Sequence, residues 1–192
     1  MKSRKLWIVV FLGFFSLASA FAQEPFYKGK TVRIIVGFSP GGGFDVYSRA
    51  ISRHLGRYIP GGPNVIVENM TGAGSLIAAN HIYKVAKPDG LTIGNINGGL
   101  FLQQVMGAPG IEFDAVKFEH VGVPVKDKSV CVMTKASGFT SVEKWMASKA
   151  PVKLGATGPG SATYNVPLIL KEALGLPIQL VSGYKGIADV RL

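Results

Sequence analysis

Apolar and polar positions along the chain fall into a unit that recurs: a short β-branched run, a glycine-rich loop, then a stretch with helical spacing. Thr31 to Val36 is the first run, and Gly41-Gly42-Gly43 leads it into a helix from Phe44 to Tyr58 whose apolar positions include Val46, Ala50, Leu55 and Ile59. Pro60-Gly61-Gly62-Pro63 ends that helix. A second strand, Asn64 to Asn69, leads through Thr71-Gly72-Ala73-Gly74-Ser75 into a helix from Leu76 to Ala86, closed by Lys87-Pro88-Asp89-Gly90. The third strand is Leu91 to Ile96, followed by Asn97-Gly98-Gly99. From Leu100 to Phe118 the spacing loosens, which predicts a short helix and a surface loop.

Val121 to Val125 and Ser129 to Thr134 both read as strands, and the polar Lys126-Asp127-Lys128 between them reads as a crossing into a second domain. The expected organisation is residues 1–22 as a leader, 23–125 as a first lobe and 126–192 as a second. In the second lobe Thr140 and Glu143 match a capping box for a helix running to Lys149. Lys153 to Ala156 is a strand, Thr157 to Ser161 a further glycine-rich loop, and Ala162 to Leu174 a helix. Strand Ile178 to Val181 and loop Ser182 to Gly186 complete the pattern.

Alternating strands and helices predict parallel α/β sheets, in which every loop that follows a strand opens on the same, ligand-binding edge. Five loops therefore converge: 37–43, 70–75, 97–99, 157–161 and 182–186. The first is the most telling, because its glycines leave backbone N–H groups bare where a helix begins, a place that favours negative charge. No Lys or Arg lies between Gly37 and Tyr47, and Lys185 is the one fixed cation near the five loops. Such a loop suits a small carboxylate better than a polyphosphate.

Charge and composition narrow this further. Lys2, Arg4 and Lys5, the apolar stretch Leu6 to Phe15 and the small-x-small site Ala20-Phe21-Ala22 form an export signal, cleaved after Ala22. Removing residues 1–22 takes away three of the 21 basic residues and none of the 11 acidic ones, so the remainder keeps a net charge of +7. These charges are scattered singly without interleaved aromatics, which argues against nucleic acid, and Arg49, Arg53 and Arg57 read as a solvated helix stripe. Cys131 is alone, so no disulfide framework exists. His54, His81 and His120 lie far apart without partners at metal-ligand spacing, and no cofactor motif is completed.

Gly37-Phe38-Ser39-Pro40-Gly41 spells the G-x-S-x-G of a hydrolase nucleophile elbow, and a secreted serine hydrolase using Ser39 is the alternative reading. Pro40 argues against it, because an elbow needs the N–H of the residue after the nucleophile and proline has none. Asp45 falls in the first helical turn, where it either stabilises the helix dipole or meets a ligand ammonium or hydroxyl.

Arg33-Ile-Ile-Val-Gly-Phe-Ser-Pro-Gly-Gly-Gly-Phe-Asp45, Val67-Glu-Asn-Met-Thr-Gly-Ala-Gly-Ser75, Lys87-Pro-Asp-Gly-Leu-Thr-Ile93 and Gly155-Ala-Thr-Gly-Pro-Gly-Ser161 resemble, in order, the motifs of the tripartite tricarboxylate transporter receptors, or Bug proteins. The resemblance implies a type II periplasmic-binding-protein fold with two lobes, a small carboxylate ligand, an integral-membrane permease as partner, a periplasmic location and no enzymatic activity. It places ligand contacts at Phe38, Ser39, Gly41, Gly42, Gly43 and Asp45, and at Gly72, Ala73, Gly74 and Ser75. Asn97 joins them, with Thr157, Gly158, Gly160, Ser161, Tyr184 and Lys185 from the second lobe. Gly37 and Ser39 depart from the family pattern, where Pro or Ala-like residues are usual. Family chains also continue well past Lys185-Gly186, which implies that a chain ending at Leu192 carries an incomplete second lobe and raises the alternative of a non-functional fragment.

Overall fold

The computed structural model describes residues 24–126 and 128–190, so the export signal lies outside the described residues, as does Asp127 of the expected crossing. Three strands, β1 (Thr31–Val36), β2 (Asn64–Asn69) and β3 (Thr92–Asn95), form a parallel sheet in the order β2-β1-β3. Val32, Ile34, Ile35 and Val36 of the central strand are buried, as a β-branched run between neighbours on both sides must be. The register sets Val36 level with Asn69 on one side and Asn95 on the other, so all three strands end together. A second parallel pair, β4 (Val152–Ala156) and β5 (Ile178–Ser182), likewise ends level, Ala156 opposite Ser182.

Between these strands run α1 (Gly43–Leu55), α2 (Leu76–Lys84), α3 (Gly99–Val105), α4 (Val142–Met146), α5 (Ala162–Leu174) and α6 (Ile187–Val190). Apart from the two runs expected as strands between residues 121 and 134, the strand and helix order matches the pattern read from sequence, and β1, β2 and α5 have the expected ends. The core comes in three clusters. Ile34, Val36 and Phe38 pack with Phe44, Val67 and Ile93; Ala79, Leu100 and Phe113 pack with Phe101 and Phe118; Trp145, Leu176 and Ile178 pack with Leu154 and Leu170.

Four expectations need correction. Helix α1 does not bury Val46, which is exposed together with Tyr47 and Ile51; its inward positions are Asp45 and Ser48. A polar network under the neighbouring loop replaces apolar packing there. Residues 106–118 are more than a surface loop, because Phe113 is buried and stacks edge-on to Phe101. Val121 to Val125 and Ser129 to Thr134 are not strands among the described residues, and Val121, Val123, Val130 and Val132 are all exposed. β-Branched alternation gives a capacity to pair, but a ladder needs a neighbour, and none of the described strands lies beside them. The cap of α4 is Ser141, whose Oγ accepts from Lys144 N–H, and the helix stops at Met146 rather than Lys149. Ser141 wins over Thr140 because the N-cap side chain must reach the amide three residues on, and here that amide is Lys144.

Candidate functional site

The five loops meet at the edge where the strands end. Ser39 N–H donates to Lys185 O at 3.1 Å, joining the loop after β1 to the loop after β5. The contact is close because position 186 is glycine: a Cβ there would fall on the Ser39 hydroxyl. Gly74 and Gly158 approach backbone to backbone, and Gly99 lies against Gly160 O with no space for a side chain. Loops 70–75 and 97–99 thus both touch loop 157–161. Within the first group, a Cβ on Gly37 would collide with Ser75, whose Oγ accepts the Asn97 N–H at 2.8 Å.

The loop after β2 holds strained backbone. Ala73 and Ser75 adopt φ of 47° and 76°, the left-handed region that costs a residue with a Cβ of order 1 kcal/mol or more. Ser75 is fully buried, and its bond from Asn97 fixes it there.

The loop after β1 is held from beneath. Asp45, 3% exposed, accepts Gly41 N–H at 2.9 Å on Oδ2 and the Asn69 amide at 2.9 Å on Oδ1, and Arg49 Nε lies 2.9 and 3.0 Å from the two oxygens. Burial pushes its carboxyl up, yet Arg49, Gly41 and Asn69 together outweigh that and hold it below the usual carboxylate range. The same Asn69 amide donates to Phe38 O at 2.9 Å. From the other side of β1, the Asn95 amide donates to Phe44 O at 3.2 Å and Ser48 Oγ at 2.8 Å.

With those groups engaged, the amides of Gly42, Gly43 and Phe44 have no protein acceptor among the described residues, and the N-cap Gly42 offers no side chain. The hydroxyl of Ser39, 7% exposed, and the Asn97 Nδ2 are buried without partners. Helix α5 is similar. Ser161, its N-cap, turns its hydroxyl back to Gly158 O at 2.7 Å, so no side chain caps that first turn. Each of these 13-residue helices presents the partial positive end of its dipole on the loop edge.

Several sequence-predicted site residues take other work. Asp45 is saturated beneath the loop, leaving none of its oxygens for a ligand. Phe38 turns its ring into the core, 4.5 Å from that of Phe44, so only its backbone faces the loop. Lys185 contributes its carbonyl, its side chain being exposed, and Tyr184 lies against Gly155 of β4. Thr157 is buried, and both its N–H and its hydroxyl meet Thr163 Oγ1 at 3.2 Å. Gly41, Gly72, Gly160 and the strained Ala73 shape the loops through positive φ. Nor does Ser39 have a hydrogen-bonded base, which an activated nucleophile requires. Asn69 and Asn95 hold this loop by hydrogen bonds that the sequence reading did not include, and Arg49, read as part of a solvated helix stripe, pairs with Asp45 instead; the visible signal was an asparagine closing each strand that flanks β1.

No protein-family model matches the sequence. A UPF0065 protein of Agrobacterium vitis is 30% identical over 171 residues, 84% of this chain and 46% of the relative. Another from Cupriavidus necator is 28% identical over 145 residues, 74% of this chain and 43% of the relative. The chain thus spans a little under half the length of these relatives. Among solved structures, a periplasmic transporter aligns with TM-score 0.64 at 24% identity, over 85% of this chain and 57% of that one. The periplasmic binding protein BugD aligns with TM-score 0.60 at 22% identity, over 84% and 54%. MatC of Rhodopseudomonas palustris, solved with bound malate, gives TM-score 0.55 at 20% identity, over 83% and 54%. The family resemblance and the α/β periplasmic-binding fold read from sequence are borne out.

Proposed function

As a homologue of the UPF0065 proteins built on the fold of periplasmic binding proteins, this chain is, we propose, the anion-gripping part of a periplasmic solute receptor for small carboxylates. The observation that carries this reading is that the loop after β1 holds both a buried, unpartnered hydroxyl, that of Ser39, and amides at Gly42 and Gly43 with no protein acceptor among the described residues. A hydroxyl and two N–H groups at a helix start match the lone pairs of a carboxylate, and the helix dipole favours its charge. The second uncapped helix, α5, supplies the same chemistry from the other sheet, so an acid with two carboxylates satisfies both. The absence of any Lys or Arg between Gly37 and Tyr47 argues for one or two negative charges rather than a phosphate chain. The malate bound to MatC is a ligand of that kind.

Binding across both groups of loops stabilises the closed arrangement through shared contacts, which is how a receptor of this fold signals occupancy. The signal segment 1–22, cleaved after Ala22, delivers the chain to the periplasm, and an integral-membrane permease receives the solute. The role is binding, without catalysis.

The test is a thermal-shift and calorimetric titration of the purified chain with malate, succinate, citrate and aspartate. Stabilisation should grow with the logarithm of ligand concentration, reaching about 2.7 kcal/mol at a hundredfold excess over Kd. No shift with any member of the panel refutes the reading.

A further inference from the structure

We infer that Asp45, Asn69 and Asn95 are positioning residues that preset the loop after β1 for its anion without touching it. The inference rests on the carboxylate-receptor reading, and its basis is the register of the sheet. Val36, Asn69 and Asn95 end their strands side by side, so two side-chain amides flank the point where the chain leaves β1. Asn69 takes Phe38 O and one oxygen of Asp45; Asn95 takes Phe44 O and Ser48 Oγ. Asp45 closes the circuit on Gly41 N–H. The bonds therefore fall at 38, 41 and 44, three points spaced through the turn, and none falls on the amides of Gly42 and Gly43.

This division explains why a loop with three consecutive glycines serves as a binding element. Glycine loses more conformational freedom on ordering than any other residue, and a free loop would pay that cost when the ligand arrives. Here polar side chains from two neighbouring strands have fixed the turn beforehand. Asp45 has no oxygen left for a ligand ammonium or hydroxyl, because Arg49 completes its shell and also donates to Asn69 Oδ1 at 3.0 Å.

The experiment compares Kd, stoichiometry and Tm for malate and succinate, which differ by one hydroxyl, in the full chain and in Asp45→Asn, Asn69→Ala and Asn95→Ala. Positioning predicts that each variant weakens both acids by the same factor, about 10-fold or more, the scale of leaving buried polar groups unpaired. Asp45→Asn and Asn69→Ala combined should cost less than the product of their separate effects, since both release the same end of the loop. Asn95→Ala acts on Phe44 and Ser48 alone and so keeps the test open if the Asp45 variant folds poorly. Selective loss of malate in Asp45→Asn would overturn the inference in favour of a direct contact. A lower stoichiometry or Tm with unchanged Kd would overturn it in favour of a purely structural role. Failure of the unmodified chain to bind either acid would instead overturn the receptor reading beneath it.

Discussion

Replacing Gly186 with alanine gives the sharpest test of how the two groups of loops meet. A Cβ at this position would fall on the Ser39 hydroxyl and lie about 3.1 Å from both Ser39 Cβ and Ser39 N. Backbone conformation is not the obstacle, since Gly186 is not among the residues with positive φ. Only the close approach forbids the substitution. Overpacking of this kind costs about 1–3 kcal/mol. In a chain of this size that is a fall in Tm of about 2–4 °C for each kcal/mol. Differential scanning fluorimetry reads the stability, and calorimetry with malate reads the effect on binding, which should weaken because Ser39 is both the point of collision and a proposed ligand contact. The compensating variant, Ser39→Gly with Gly186→Ala, removes the colliding hydroxyl and Cβ and should recover most of the lost Tm while leaving binding impaired. A Gly186→Ala chain with the Tm and Kd of the unmodified protein would refute the contact between these loops.

Two further outcomes follow from the same structure. Asp45 is held below its ordinary carboxyl value of 3.8, so its contribution to stability is present above that value and is lost as pH falls through its lower folded-state value. Acid titration monitored by circular dichroism should therefore show a destabilising step in the unmodified chain that shrinks in Asp45→Asn; Glu68, lowered by its pairing with Arg33, remains as a background step in both. Val121→Thr and Val123→Thr remove apolar surface that is already exposed, and each should change stability by no more than about 0.5 kcal/mol in urea denaturation, whereas a loss of 2 kcal/mol would mean these valines are packed.

The repeating order of strand, loop and helix was legible because each unit carries its own punctuation. β1, β2 and α5 are bounded by Gly and Pro at both ends or by a clear change of period, and their limits are readable to the residue. The convergence of the five loops follows from parallel topology and needs no side-chain information. What sequence did not disclose is how each side chain is used at that edge. Asp45 on a helix start is equally compatible with a ligand contact and with a support, and the placement of Asn69, one strand away and 24 residues on, together with Arg49 and the Gly41 amide, decides for support. Phe38 likewise lies inside a motif, but its side chain belongs to the core cluster of β1. The helical period of α1 misled for a related reason: its fully buried positions are Asp45 and Ser48, beside Phe44 on the apolar core, and a hydropathy pattern cannot see a buried polar network. The runs around Val121 and Val130 show the opposite limit, where composition favours a strand and no described strand runs beside them.

Because all three strands of the first sheet point the same way, the two edges of that sheet stand under very different constraints. At the edge where β1, β2 and β3 finish, loops interlock backbone to backbone at Gly74 with Gly158 and at Gly99 with Gly160, and a methyl group added at Gly99 or Gly158 has nowhere to go. At the opposite edge lie turns such as Pro60-Gly61-Gly62-Pro63 and Lys87-Pro88-Asp89-Gly90, where Gly62 has open space around it and 87–90 are mostly exposed. Position 87, exposed and without the positive φ that strains any side chain at Gly62, is thus a natural attachment point for a dye or affinity tag: a label there reports on the molecule from the side remote from the ligand.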